Sequence, residues 1–521
     1  MRVWLAGDES IHAPAQTLPA FISAYTSGGD GAIAIVHSTL DGKIVCCSSD
    51  DLTQLTGQPG QLHQLSYPVV RSTNIGANFK TIDGAPVRYN ATPPLLKVML
   101  EDLPADMEVV LDLARSIATP RRAFIERVMA IVVQSPPRKQ WIYLIQDIAD
   151  VEIIRRIVPE AAILLRASDC DRVVDSAVTR ALAGVVLSFS DYLRLKPKLA
   201  AAAFSLGAIV EADAGVLDPP QYTELSTKPF VHAAVVRSVL LSESLHFERR
   251  LLCDEDFHGQ EFDPDTWSLG YARANRYCHV YQNDGVHIDI TPYNAPAMPP
   301  APDDIERRLR RVEIQVLVAL EDTPTYSGGG IGLRRGLVGD FSVDALVSSQ
   351  QAVQASTVEI AVVNGDPARH FEPWAANGTP RFPQGPHDKH SFFDPHGAPP
   401  YVGTEHDEND GYRINWNAST DYDDNHYGSA LGDGLLLDAW LRLERRGPYF
   451  ASYYRPQASA DASRWVCVGV VRNDALARRV FLRCAGKRWQ KANPNGSGYL
   501  PVVPNHFVIR HIRAAVRRSV P

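Results

Sequence analysis

The sequence predicts an α/β plus all-β chain: an N-terminal (β/α)8 TIM barrel followed by an antiparallel β-sandwich of the jelly-roll kind. Three observations carry that expectation. Over residues 1–250, short apolar runs alternate about eight times with helical patterns, the rhythm and size of a closed parallel barrel. Past residue 250 the helical periodicity fades, and short runs alternating apolar with polar residues are separated by Gly, Pro, Asn and Asp. The length of 521 residues, with 45% hydrophobic and 21% charged, suits two large units and excludes one small binding module.

In chain order, the strand-like runs of the first half are RVWLAGD (2–8), AIAIVHS (32–38), KIVCCSS (43–49), EVVLDL (108–113), WIYLIQD (141–147), AAILLRA (161–167), AGVVLSF (183–189), GAIVEAD (207–213) and FVHAAVV (230–236). They are almost continuously apolar, as strands covered on both faces must be. Between them, residues 118–134, 151–160, 171–183 and 191–204 have helical spacing. An open, doubly wound sheet is the alternative that the same rhythm allows. In the second half the alternating runs are 285–293, 340–349, 357–364, 412–419, 439–447, 449–455, 464–472 and 478–486. The Pro-rich 295–304 and the charged 305–313 read as an extended loop leading to a short helix or strand, and 366–411 reads as a second long loop, a place where function often lies. The expected units are therefore 1–250, 251–495 and a C-terminal extension, 496–521.

Lys and Arg total 52 against 60 Asp and Glu, a formal charge of -8. With no basic excess to neutralise phosphates, nucleic acid is excluded as the expected partner. No apolar run reaches the roughly 20 residues of a membrane span, and Met1 leads directly into a strand rather than a signal segment. Seven cysteines, an odd number that includes the neighbours Cys46 and Cys47, do not form the framework of a secreted disulfide domain, so a cytoplasmic protein is expected.

The segments APAQTLPAF (13–21), GGDGAIAIVHSTLDGKIVCCSSDDL (28–52) and TPPLLKVMLEDLP (92–104) resemble motifs of the glycerophosphodiester phosphodiesterase family, over residues 1–115. The resemblance implies a barrel that hydrolyses phosphodiesters with two histidines and a carboxylate-bound divalent metal. Laid on this chain, however, the family's first histidine falls at or near Ala6, with Gly7 and Asp8 following. Its second falls at Ser48, and its metal carboxylates fall at Ala15, Ile33 and Ile35. Asp112 keeps the carboxylate of the third strand, while the lysine two positions on is Ala114. The resemblance thus implies a barrel whose proton relay and metal site are both lost. His12 could restore a histidine by a small register shift, whereas the family pattern also has a histidine at His37 without a catalytic role. Asp8, Asp112, Asp147, Asp169, Ser188, Asp191, Glu211 and Asp213 lie at expected strand ends, where barrel active sites sit. Asp147, Asp169 and Asp191 read as helix N-caps, and the better catalytic candidates are Asp112, Glu211 and Asp213 together with His12.

CDEDFHGQEFDPDTW (253–267), NDGVHIDITPY (283–293) and GDGLLLDAWLRLERRGPYFASYYRPQ (432–457) resemble strands of concanavalin A-like lectin and glucanase domains. Those motifs specify a sandwich and not a ligand; the expected partner class is carbohydrate or a phosphate-linked glycan. Aromatic rings stack on the apolar faces of sugars, so Trp374, Tyr401, Trp416, Tyr422 and Tyr427, in expected loops, are the candidate ligand contacts. Glu405, Asp407, Asp410, Asp421 and Asp423 belong to a run of hard oxygen donors of the kind Ca2+ takes. No organic cofactor is expected, and no strand carries the E-x-D-x-E pattern of a glucanase. The reading is a glycan-recognition protein with a catalytically degenerate phosphodiesterase-like barrel. Its rivals are an active metal-dependent phosphodiesterase on a glycerophosphodiester or phosphate-linked glycan, and a structural or assembly component that forms oligomers.

Overall fold

The computed structural model divides the chain into two compact units, Met1–Phe247 and Glu248–Ser519. It describes residues 1–242 except 8–9, 82–83, 118–119, 139–140, 167–169 and 213–214. It also describes 247–519 except 260–262, 264, 272–277, 283, 291–326, 350–355, 365–399, 408–409, 420–423, 432–437, 458–464 and 489–504.

The first unit contains β1 (Arg2–Leu5), β2 (Gly31–Ser38), β3 (Ile44–Cys46), β4 (Glu108–Asp112), β5 (Trp141–Ile145), β6 (Ala162–Arg166), β7 (Gly184–Ser188), β8 (Gly207–Glu211) and β9 (Val231–Val236). Eight of these form a parallel ring in the order β1-β9-β8-β7-β6-β5-β4-β2, which closes because β1 also pairs with β2. The expected closed barrel is present, and the open-sheet alternative fails because the ring has no edge. The remaining strand, β3, is an antiparallel hairpin partner of β2.

Side chains alternate across each strand, and the inward set Trp4, Ile33, Val110, Leu164, Val186 and Ile209 packs into one buried cluster. Below it, Glu108 accepts from Trp4 Nε1 at 3.0 Å and pairs with Arg2 at 2.6 Å. Two residues on from Val110, Leu164, Val186 and Ile209, the same alternation places Asp112, Arg166, Ser188 and Glu211. The apolar interior therefore turns polar at the carboxyl ends of the strands.

The caps expected at Asp147 and Asp191 are not the ones observed: the N-cap position of the helix Asp150–Ile157 is Ala149, which makes no side-chain cap bond. Asp147 accepts from Ala149 N just ahead of the helix Asp150–Ile157. For the helix Phe189–Ala201 the cap is Ser188, not Asp191. Ser188 Oγ accepts from Asp191 N and donates to the Asp191 carboxylate, so the acid lies one turn inside, where the helix dipole still favours it. Asp169 and Asp8 lie outside the described residues.

The second unit contains β10 (Phe247–Glu255), β11 (Trp267–Tyr271), β12 (Cys278–Gln282), β13 (Val286–Ile290), β14 (Ser327–Leu333), β15 (Leu337–Val338), β16 (Phe341–Ser349), β17 (Ser356–Val363), β18 (Tyr401–Asp407), β19 (Gly411–Asn417), β20 (His426–Tyr427), β21 (Asp438–Arg446), β22 (Tyr449–Pro456), β23 (Val466–Arg472), β24 (Arg479–Arg488) and β25 (Asn505–Ser519). One sheet runs β12-β13-β25-β16-β21-β22-β23 with β10 on β25; the other runs β11-β14-β24-β17-β18-β19-β20 with β15 on β24. Thr404 Oγ1 of the second sheet donates to Arg442 O of the first at 3.0 Å, one of the ties between the two layers.

Two sequence expectations need correcting here. Within the expected extension 496–521, residues 505–519 form β25, which lies between β13 and β16 within the first sheet. Its alternation is hidden by a bulge: Leu346 faces His511 while Val347 faces Ile509, so the inward face switches parity at Arg510. The expected loop 366–411 contains β18, whose Thr404, Glu405, His406 and Asp407 are buried although polar. Burial of such residues depends on partners from other strands, which the local pattern does not reveal.

Candidate functional site

At the carboxyl end of the barrel lies a pocket of about 240 Å3. Its floor is apolar, from Ala6, Ile33, Ile35 and Val235, and its polar groups are Asp112, Glu211, Ser188, Arg115, Arg166 and Arg237. Among the described residues, three guanidiniums thus meet two carboxylates at this mouth, in a chain that is acidic as a whole.

Asp112 is completely buried at the tip of β4. One carboxylate oxygen accepts from Ala114 N at 2.9 Å, while the other lies 3.5 Å from Arg115 and 3.6 Å from Arg166. Burial pushes its carboxyl upward, and the two arginines pull the other way. Arg166 also reaches Glu211 at 3.1 Å, so it joins the two acids across the mouth. Gln16 anchors the loop after β1: its amide donates to Gly7 O and Ile33 O and accepts from Ile35 N. It holds φ at +63° to do so, a conformation L residues rarely adopt.

A divalent metal, which the sequence resemblance implies, does not fit these groups. Both described carboxylates of the pocket pair with Arg166, and Ile33 and Ile35 offer no donor oxygen. Among the described residues, no three His, Cys, Asp or Glu side chains are placed to hold a metal ion.

Of the four catalytic candidates, Asp112 and Glu211 line the pocket, and Asp213 lies outside the described residues. His12 is buried and absent from the pocket lining, and its Nε2 makes a 2.6 Å hydrogen bond with Ser238 Oγ. The arginines were missed. Arg166 was legible in principle, because it continues the inward parity of Ala162 and Leu164; Arg115 and Arg237 lie just past strand ends and have no such signal.

His37 is buried at the end of β2, and burial pushes its imidazole down to about 4. Because the folded value lies below the usual 6.5, the unfolded chain binds the proton more readily between pH 6.5 and 4, so stability falls as pH falls through that window. The loss is expected to be roughly 3 kcal/mol. Urea titrations at pH 7 and pH 4 should show a smaller acid loss for His37→Gln than for the parent chain; equal losses would reject the assignment.

In the second unit, Tyr401 is buried at the start of β18, Trp416 is half-buried beside His426 and Tyr427 is exposed beneath Arg413, 4.4 Å from its ring centre. Trp374, Tyr422, Asp421 and Asp423 lie outside the described residues. The other three acids of the Ca2+ expectation converge on a guanidinium: Arg413 reaches Glu405 at 2.5 Å, Asp407 at 3.0 Å and Asp410 at 2.7 Å. Beside them is a pairing that sequence reading did not find. Glu359 and Glu405 face each other across β17 and β18, and Asn415 Nδ2 donates to both, at 2.8 and 2.9 Å. Each acid has its own arginine, Arg483 for Glu359 and Arg413 for Glu405, and burial pushes Glu405 up to about 7 against the pull of Arg413.

The fold and pocket define a closed eight-stranded parallel barrel with a polar mouth at its carboxyl end, fused to an antiparallel sandwich. No protein-family model matches this sequence, and neither does any curated protein. Among solved structures, the chain is similar to a glycerophosphodiester phosphodiesterase of Thermotoga maritima, at 16% identity over 47% of this chain and 98% of that one, with a TM-score of 0.37. A second, from Agrobacterium tumefaciens, has 17% identity over 47% and 99% with a TM-score of 0.40. An Oleispira antarctica phosphodiesterase, solved with its product sn-glycerol-3-phosphate, has 15% identity over 47% and 96% with a TM-score of 0.40. Likeness at that level says nothing of activity, and the closed barrel rests on its own strand pairings. Among the described residues, no helix is long and apolar enough to cross a membrane.

Proposed function

We propose that this chain works by recognition, and that the barrel mouth binds an oxyanion-bearing ligand, carbohydrate or a phosphate-linked glycan being the partner class expected from the sequence, without metal-dependent hydrolysis. The observation that carries the reading is the exchange of chemistry at the mouth: aliphatic Ile33 and Ile35 and three arginines line a pocket in which, among the described residues, no histidine takes part. Planar guanidiniums match phosphate oxygens in two-point hydrogen bonds. Arg166, held by Asp112 and Glu211, is oriented before a ligand arrives, whereas the exposed Arg237 offers charge at the rim.

Calorimetric titration with inorganic phosphate and sn-glycerol-3-phosphate at low salt is the test. Binding is expected, and it should weaken about tenfold in Arg237→Ala, the scale of one charged hydrogen bond. Glycerophosphocholine and an aryl phosphodiester should not turn over above a chelator control with Mg2+, Mn2+ or Ca2+. Metal-dependent turnover that vanishes in Asp112→Ala would overturn the reading and restore the phosphodiesterase.

A further inference from the structure

The second unit has a larger cleft of its own, of about 740 Å3, framed by the strands β10, β15, β21 and β25 and the turns beside them. Among the described residues it is lined by five arginines and a single acid, Asp340. Two of the arginines belong to the framework. Arg445 is buried and donates to the carbonyls of Gly447 and Ala477, and Arg517 is buried against Glu444 at 2.6 Å. Asp340 is likewise engaged, since its carboxylate accepts from Gly447 N at 2.9 Å.

The other three, Arg250, Arg335 and Arg478, are exposed, and none has an ion-pair partner among the described residues. They come from three separate segments, so their convergence is a product of the fold and not of one basic run. In a chain of net charge -8, holding three unneutralised guanidiniums around one concavity raises self-repulsion, which an anionic ligand relieves. The surface between them is apolar: Val338 is 48% exposed, and Leu252 and Val516 are half-buried beside it. Gly336 and Gly339 leave the wall without side chains at the β15 turn, and Gly339 has φ +79°.

We infer that this cleft is a binding site for a compact ligand bearing two or more oxyanion groups, with guanidiniums taking the charges and the Val338 surface taking an apolar face between them. The volume admits a ligand of disaccharide size. The site is independent of the barrel mouth.

The test is calorimetric titration of the full chain at low salt with a disulfated disaccharide, its unsulfated counterpart and inorganic tripolyphosphate. At least one of the two anionic probes should bind, and the unsulfated sugar should not. The Arg335→Ala/Arg478→Ala double variant should weaken binding at least about tenfold, because removing even one charged hydrogen bond has an effect of that order. Both residues are exposed, so the variant should keep the parent's melting temperature. Arg237→Ala should leave this binding unchanged, which separates it from the barrel mouth. Binding of the disulfated sugar alone assigns the ligand to acidic glycans; binding of tripolyphosphate as well assigns it to polyvalent oxyanions in general. Failure of both anions to bind, undiminished binding in the double variant, or equal binding of the unsulfated sugar would overturn the inference.

Discussion

A chain ended at residue 496 is expected to lose the fold of its second unit. The deletion removes β25, which pairs with β10, β13 and β16 and so joins three parts of one sheet. It also removes Phe507, Ile509, Ile512 and Ala514, all fully buried. Burying one large aliphatic or aromatic side chain contributes about 1.5–3 kcal/mol, so losing three already approaches the 5–15 kcal/mol that typically holds a domain together. Limited proteolysis should cut the truncated chain rapidly within β16, β21 and β22, where the parent should resist. Protection equal to the parent's would mean that β25 is dispensable.

The second large effect is expected at Arg483. Its guanidinium meets Glu359 at 2.6 Å with both side chains fully buried, and it lies 5.2 Å from the Tyr401 ring. Arg483→Met strands the Glu359 carboxylate inside the second unit, and breaking a buried pair from one side costs about 3–5 kcal/mol. The double variant Arg483→Met/Glu359→Gln removes both charges and should recover most of that loss, because a buried pair as a whole contributes little against neutral replacements. Denaturant melts of the two variants and the parent decide it. A double variant no better than Arg483→Met would show that the pair acts through geometry rather than charge.

These two cases also mark how far the sequence could be read. The barrel strands were legible because a parallel strand covered on both faces must be apolar along its whole length, as in GVVLS of β7. Asp112 and Glu211 were legible as acids at strand ends. The arginine mouth was less so, since a charged residue after a strand looks the same whether it faces the barrel axis or solvent. The pairing of Glu359 with Glu405 was illegible, because those residues lie on separate strands and only cross-strand register brings them opposite. β18 and β25 escaped for related reasons: buried polar residues in one, a bulge in the other. Each defeats a strict alternation rule while remaining an ordinary strand once its neighbours are present.

The position of β25 also sets a clock on the birth of the molecule. Every strand of the barrel has been made once Val236 is added, so the first unit can emerge and close while synthesis of the rest continues. The sandwich has no such freedom, because β13, paired on one edge with β12, ends at Ile290 and the partner of its other edge, β25, begins only at Asn505. At about 5–20 residues per second, β13 waits roughly ten to forty seconds with an unmatched edge. For that interval the nascent chain presents strand edges without a neighbour, the state in which another copy or a chaperone can capture them.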